Sequence, residues 1–535
     1  MQEIELKFLV PELRLKGLMR QAKVKSSQVT QMAAHYYDTP DQQLAQAGIG
    51  LRIRKEGDTW VQTIKAGGDG IAARLEHNLT LDNEQVQAML DNNDLMPDLS
   101  IYKDTAIAPT LADLKLKKLA KKLTRLYVTD VERTTRLLIE DTSDEIINSI
   151  EVAYDDGQII HGRDDSQRDA IQEIEFELVS GDLDFLFATA KTWCKRYRLC
   201  LSTVTKAERG GLLIKGQRYS PAASANLSEL NINKNISMPA FLRAVVHNCL
   251  LQILPNSSAI VAGSTDNKHV LQLHIGVCRL RIALIAFASF SDEVNPDWLL
   301  IIKRTATSLR DYYDLSYLAT HIEPMLQNYG APMVDWTADV KAIKITPIDA
   351  VSANDFQLTL LELIAFTMSD PSLEPQADKA AFEPLTRILS KQQAKFLKTE
   401  ERLNDGIKAK PDSLDSTNAD SKNSGLKNNG LENNDHYQAQ QQLHYQLKNL
   451  RYISELAAPL YGKKKTKRWL KRVVKAQKLL GKQVDMTYYQ QCYQQKSLTE
   501  SDTLYGVGWF AAILKDDSKR LQKRLDRIQD CATFW

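Results

Sequence analysis

The sequence predicts an α+β multidomain protein, with a strand-rich first half closed as a barrel or sandwich and an all-α helical-bundle second half. Three observations predict it. Short runs in which apolar and charged residues alternate recur from residue 1 to about residue 215. Beyond residue 233 the apolar spacing turns to the three- and four-residue steps of helices. The halves also differ in charge: residues 1–216 hold 29 Lys+Arg and 34 Asp+Glu, a net of −5, whereas the remainder holds 40 and 33, a net of +7. With 535 residues, 43% hydrophobic and 25% charged, the chain is long enough for separate cores, divided here as 1–216, a linker at 217–232, and 233–535.

The strands follow in order. "EIELKFLV" sets Glu3, Glu5 and Lys7 on one face and Ile4, Leu6 and Phe8 on the other. "GLRIRKE", "TWVQTIKA", "ARLEHNLTL", "YVTDVERTTRLLIE", "NSIEVAYDDG" and "QEIEFELVSG" repeat the pattern, with turn signals such as "GDTW", "AGGDG" and "DDGQ" between several of them. Their charged faces hold Arg52 with Arg54, Lys65, Arg74 with Glu76, Glu151 with Asp155, and Glu173 with Glu175 and Glu177. "LADLKLKKLAKKLTRL" reads as a basic helix interrupting the series and lying outside it. "QRYSPAASANLSELNI" reads as the linker.

A single charged strand face is usually solvated, but seven in series predict a barrel closed with these faces inward, around a lumen lined by cations and carboxylates together. Arginine and lysine neutralise a chain of phosphates, while clustered carboxylates hold hard cations such as Mg²⁺ or Mn²⁺. The combination predicts a polyphosphate site.

These motifs carry a family resemblance. "EIELK" resembles the ExExK signature of the CYTH family, the triphosphate tunnel metalloenzymes, and "HYYDTPD", "GLRIR", "QTIK", "VERTTR", "EVAYDDG", "EIEFELVSGD" and "LSTVTKAERGG" follow in that family's order. The resemblance implies an eight-stranded antiparallel tunnel that binds triphosphate. It implies phosphate contacts from Lys7, Arg52, Arg54, Lys65, Arg133 and Lys206, and metal ligation by Glu3, Glu5, Asp155, Glu173 and Glu175. Glu177 and Glu151 are further candidates on the same faces; Arg74 and Glu76 are secondary. Glu3, Glu5, Lys7 and Lys65 are the expected catalytic set.

In the helical half, residues 405–436 are rich in Asn, Ser, Asp, Gly and Lys and read as a disordered loop. "QLHIGVCRLR" from Gln272 and "QLHYQLKNLR" from Gln442 share the pattern QLHxxxxxLR. This places His274, Cys278 and Arg281 on one helix face, and His444, Lys448 and Arg451 on another. Identical spacing predicts duplication, with two helical bundles facing each other. Between Gly462 and Lys482 lie ten basic residues and no acid; Lys464, Arg468, Lys471, Lys475, Lys478 and Lys482 form a stripe that would repel itself unless an anion sat on it.

"LHYQLKNLRYISEL", "RLRIALIAF", "LRDYYDL" and "KRVVKAQKLLGKQVD" resemble the CHAD domain, a helical module associated with polyphosphate. The chain departs from that pattern at Leu271, Gln441 and Cys278, the last standing where a basic residue is expected. The resemblance therefore carries over only Arg279, Arg281, Arg310, Lys448 and Arg451; Lys464, Arg468 and Lys471 are added from the stripe.

The expected function is metal-dependent hydrolysis of inorganic triphosphate, using Mg²⁺ or Mn²⁺, with polyphosphate bound by the helices. The alternatives are a thiamine or nucleoside triphosphatase or adenylyl cyclase of the same fold, or a non-catalytic polyphosphate or nucleic-acid binder. Paired aromatic platforms for RNA are not evident. Cys194, Cys200, Cys249, Cys278, Cys492 and Cys531 form no CxxC pair, which suggests reduced thiols. Charges at Glu3, Glu5 and Lys7 break any signal-peptide core, and "RIALIAFASF" and "LLELIAF" are too short or too charged to span a bilayer, so a cytoplasmic protein is expected.

Overall fold

A computed structural model describes residues 2–22, 26–67, 71–92, 94–141, 147–408 and 434–535. Its first half contains β1 (Gln2–Leu9), β2 (Gln28–Asp38), β3 (Gly50–Glu56), β4 (Thr59–Gly67), β5 (Ala73–Leu81), β6 (Thr124–Asp141), β7 (Ile147–His161), β8 (Arg168–Ser180) and the short β9 (Cys200–Leu201). All pairings are antiparallel, in the order β5-β4-β3-β2-β6-β7-β8-β1-β9. A further β5–β1 pairing, Glu3 opposite Arg74, closes eight strands into a barrel. Closure sorts the two faces of every strand. Leu6, Phe8, Val152, Tyr154, Ile174 and Phe176 turn outward into a buried layer, so the charged residues between them turn into the lumen.

Two elements differ from expectation. The run "QVTQMAAHYYD" is strand β2, and it went unread because Ala33 and Ala34 interrupt the apolar alternation. The expected basic helix is instead two short helices, Ala108–Leu111 and Leu116–Ala120, with β6 starting at Thr124. Leu111, Leu119 and Leu123 anchor this segment on an apolar cluster with Leu51, Ile53 and Ile64 on the outside of the barrel. The β-propensity of "TRLYVTDV" overrides helical charge patterning there.

Helix α1 (Leu183–Tyr197) packs on the outer face of β8, with Phe176 edge-on to Trp193. Helix α2 (Lys206–Ile214) leans on β6, β7 and β8. A Cβ on Gly210 would lie 2.1 Å from the Tyr127 ring, so only glycine allows this approach, and the Tyr127 hydroxyl donates to the Ala207 carbonyl at 2.9 Å. The side chain of Asp38, at the end of β2, accepts from the backbone N–H groups of Thr39, Leu44 and Ala45. The "HYYDTPD" motif is thus a turn brace.

The second half comprises α3 (Met238–Val261), α4 (Asn267–Ala286), α5 (Asp297–Tyr317), α6 (Asn354–Met368), α7 (Phe382–Lys408), α8 (Asn434–Ala457), α9 (Lys463–Lys496) and α10 (Leu504–Gln529), with shorter helices between. Helices α3–α5 pack in sequence, as do α7–α10, and α4 meets α8 between the two groups. Of the expected loop, 409–433 lie outside the described residues, while 405–408 and 434–436 are helix ends. Helices α3 and α4 are long and apolar enough to cross a membrane, unlike the shorter segments weighed from sequence. Yet 72% and 56% of their apolar windows are buried within the fold. The two halves share one apolar cluster, running from Phe176 and Trp193 through Leu242 and Ile364 to Leu447 and Trp469. The Leu201 N–H also donates to Gln357 Oε1 at 2.8 Å.

Candidate functional site in a charge-lined barrel

Register fixes which lumen residues meet. Along β1, β8 and β7, Glu5 lies opposite Glu177, which lies opposite Glu151; further along, Lys7 faces Glu175, and Asp155 faces both Glu173 and Arg133. In the closed ring of eight, β3 stands four strands from β8 in either direction, so the strand carrying Arg52 and Arg54 lies across the lumen from the strand carrying Glu173, Glu175 and Glu177. The barrel thus has an arginine wall and a carboxylate wall.

At one level Asp155, Glu173 and Glu175 bring their carboxylate oxygens within 4.8 Å of one another, a grouping able to hold a metal ion. Cations already lie on them. Arg133 donates through Nε and Nη2 to both oxygens of Asp155 at 2.7 Å, and through Nη2 to Glu175 at 2.6 Å. Lys206, at the start of α2, reaches Asp155 at 2.7 Å, Glu175 at 2.9 Å, and Glu173. Lys7 is 3.9 Å from Glu173 and only 4% exposed. Burial opposes every one of these charges. The neighbouring acids nonetheless hold Lys206 and Arg133 well above their ordinary range, and those cations hold Glu175 well below its own. For Lys7 burial wins, and its ammonium is lowered.

At the next level Lys65 bonds Glu3 at 2.7 Å and Glu76 at 2.9 Å and stands 4.0 Å from Glu5, while Arg74 pairs with Glu5 at 2.7 Å. Here acids outweigh bases. Burial and a bond to Glu76 push Glu3 up while Glu76 falls, so the two share one proton. Burial, with Glu151 and Glu5 as neighbours, pushes Glu177 up to about 7. Carboxylates short of positive charge and presenting oxygens only fit a hard divalent cation.

The opposite wall has the reverse deficit. Arg52 donates to the Tyr36 hydroxyl at 3.1 Å and Arg54 pairs with Glu56 at the rim, but the Nε of each is buried without a partner. Burial and the Arg52 charge beside it lower Arg54 to about 10. Tyr36 is the lumen residue that sequence reading missed. Its signal was the alternation of Ala34 and Tyr36 with the outward His35, but the strand itself went unread.

The lumen brings together Glu3, Glu5, Lys7, Arg52, Arg54, Lys65, Arg133, Asp155, Glu173, Glu175, Glu177 and Lys206, and Arg74 and Glu76 join them.

In the helical half the repeat positions are matched. His274 Nδ1 contacts the Ala306 carbonyl at 3.0 Å on α5, and His444 Nε2 contacts Gln477 at 3.1 Å on α9, so each repeat histidine braces the helix that follows. Arg310 pairs with Asp314, and Arg451 with Glu455 and Gln477. Arg281 and Lys448 are half-buried. Arg279 is a correction. It falls off the shared face and is 1% exposed, donating to Gln252 with its guanidinium 5.9 Å from the Tyr452 ring, so it sits inside the packing between α3, α4 and α8 and not on the surface that an external polyanion meets. Lys464, Arg468, Lys471, Lys475, Lys478 and Lys482 are all exposed along α9. Arg468, Lys471, Arg472 and Lys475, with Arg524 and Arg527 of α10, line a cleft of about 360 Å³ that has no carboxylate in its lining among the described residues.

An inorganic triphosphatase of Haemophilus influenzae is 32% identical over 219 residues, 40% of this chain and 55% of that protein, so the chain spans about half the length of that curated relative. Among solved structures, the CHAD domain of the plant Ricinus communis is 17% identical and covers 58% of this chain and 98% of its own (TM-score 0.44). A Hippeastrum protein, designated an adenylyl cyclase and described as having a dominant triphosphatase activity, is 15% identical and covers 41% and 98% (TM-score 0.28). Family models for the CYTH domain and the CHAD domain match residues 1–210 and 244–494, and the chain is therefore a CYTH domain followed by a CHAD domain.

Proposed function

We propose that the barrel hydrolyses inorganic triphosphate to pyrophosphate and phosphate with Mg²⁺ or Mn²⁺, and that the helical domain binds polyphosphate. The observation that carries the first part is the opposition of two unbalanced walls: Arg52 and Arg54 hold buried, unpartnered N–H groups, and the carboxylates of β1, β7 and β8 lie across the lumen. A polyanion and a divalent cation together would balance both. Glu3, Glu5 and Glu177 would hold the ion, with Glu151 beside them. Asp155, Glu173 and Glu175 form a second place for one if Lys206 withdraws. When bound, the cation supplies charge neutralisation on phosphate oxygens and a more acidic water. The chain's own groups do the rest. Arg52 and Arg54 grip phosphate oxygens, Lys7 and Lys65 add charge along the axis, and Arg133 with Lys206 keeps the β7 and β8 carboxylates aligned. Phosphoryl transfer of this kind needs position and charge, and no side-chain nucleophile.

The second part rests on the exposed α9 stripe and the cleft beside it, lined by Arg468, Lys471, Arg472, Lys475, Arg524 and Arg527. The activity named for the Haemophilus influenzae relative supports the barrel reading, and the substrate is tested directly. Phosphate release by the full chain is compared for inorganic triphosphate, ATP and thiamine triphosphate, each with Mg²⁺ and with Mn²⁺. Inorganic triphosphate should be the fastest substrate; a clear preference for ATP or thiamine triphosphate moves the reading to the nucleoside or thiamine alternative.

A further inference from the structure

The repeat brings one unlike pair together. Cys278 and Lys448 occupy the same position of QLHxxxxxLR in α4 and α8, and because those helices pack against each other the Lys448 charge bears on the Cys278 thiol across the junction. From the other side, His274 Nε2 lies 3.5 Å from the sulfur, and its Nδ1 is committed to the Ala306 carbonyl, which leaves Nε2 free to take or share the thiol proton. Cys278 is part-exposed, as Cys492 is, whereas Cys194, Cys200, Cys249 and Cys531 are buried. A thiol with an ammonium on one side and an imidazole on the other is arranged as an activated nucleophile.

We propose that Cys278 is a reactive thiolate and the residue at which hydroperoxides modify the helical domain. Burial by itself would raise the thiol. The Lys448 charge, then the His274 charge and its contact with the sulfur, outweigh it and bring Cys278 down to about 6. The other groups around this junction are Arg310 and Asp311 of α5, His444 and Tyr452 of α8, and Asp485 of α9. In the step itself the thiolate attacks one peroxide oxygen, forming S–O as O–O breaks. Sulfur is oxidised to the sulfenic acid, and the departing hydroxide takes a proton from solvent. A second equivalent gives sulfinate and water. The sulfinate keeps the charge of the thiolate but adds two oxygens that can accept from Lys448, drawing that ammonium out of the cation set assigned to polyphosphate. This consequence, unlike the reactivity, rests on the polyphosphate reading.

The test uses the full chain and reads each cysteine by peptide mass spectrometry. With limiting iodoacetamide at pH 7, Cys278 should react at least about ten-fold faster than Cys492, whose thiol is raised to about 11, and its rate should show a midpoint near pH 6. Hydrogen peroxide with a sulfenic-acid trap should label Cys278 first. Lys448→Met should move the midpoint up by about one pH unit or more. The wild-type pH profile stands even if that variant misfolds. Equal rates at Cys278 and Cys492, or a midpoint above pH 8, would overturn the proposal. Excess peroxide should weaken polyphosphate binding several-fold in the wild type and leave Cys278→Ser unaffected. If Cys278 reacts fast but peroxide leaves polyphosphate binding unchanged, the reactive thiolate stands and the polyphosphate assignment at this junction fails.

Discussion

The barrel and the helical domain use cations in opposite ways. In the barrel, Lys7, Arg133 and Lys206 are nearly or wholly enclosed, and each touches a carboxylate. The stripe residues of α9, from Lys464 to Lys482, are exposed, and among the described residues the cleft beside them has no acid in its lining. Burial explains the difference. An enclosed charge without a partner costs several kcal/mol, so a lumen can hold many cations only by interleaving acids, whereas a surface stripe leaves its counter-charge to the solvent. The first arrangement suits a short, fully desolvated polyanion with its metal. The second suits a long polyanion held by many weak, salt-sensitive contacts.

Removing a lumen cation should break the comparison most sharply. Lys206→Met leaves Asp155, Glu173 and Glu175 short of charge, and breaking such a buried pair costs roughly 3–5 kcal/mol. Asp155 is depressed below its ordinary value of 3.8 by Lys206 and Arg133, after burial is overcome. Its contribution is therefore present above that value and is lost as pH falls through the lower, folded one. Thermal or urea unfolding should show the full deficit at pH 7 and a narrowing gap below about pH 4. A deficit that does not change with pH would mean Lys206 acts through packing alone.

Next in size is Glu5→Gln, which removes a carboxylate without changing volume. Turnover of inorganic triphosphate should fall by about 100-fold or more, the scale seen when one charge-stabilising group is lost, while polyphosphate binding is unchanged. Wild-type turnover at saturating Mg²⁺ would remove Glu5 from the metal set.

The smallest effect is on the other domain. Reversing Lys464, Arg468 and Lys471 to Glu should weaken polyphosphate binding by about ten-fold at 0.15 M salt and flatten its salt dependence, with triphosphate hydrolysis unaltered. Titrations at several salt concentrations check this, and an unchanged slope would make the stripe a solvated face. These experiments need the full chain, because the apolar cluster continuous from Phe176 to Trp469 would be cut open in either half.

The barrel was legible because period-two alternation reports facing directly, and closure converts seven charged faces into one lumen. What alternation cannot report is pairing across strands. Nothing in the sequence places Arg52 opposite the β8 acids, or Lys206 on three carboxylates, since both follow from strand order and from where α2 turns back. Strand β2, and with it Tyr36, was missed because two alanines hid its period. In the helices the QLHxxxxxLR spacing located the facing residues, but it could not show that Cys278 would meet Lys448. Arg279 came from the family resemblance and not from the face shared by His274, Cys278 and Arg281, and a resemblance does not report burial.

The most direct measurement is calorimetric titration of inorganic triphosphate, with Mg²⁺, into the full-length wild type and Arg52→Ala, over times short enough that hydrolysis is negligible. Arg52 has a buried Nε without a partner, and a charge-assisted contact contributes about 1.5–3 kcal/mol. The wild type should show a site that weakens by roughly 10- to 100-fold in the variant. Equal binding by the two folded proteins would contradict it, because the arginine wall would then have no part in holding the anion.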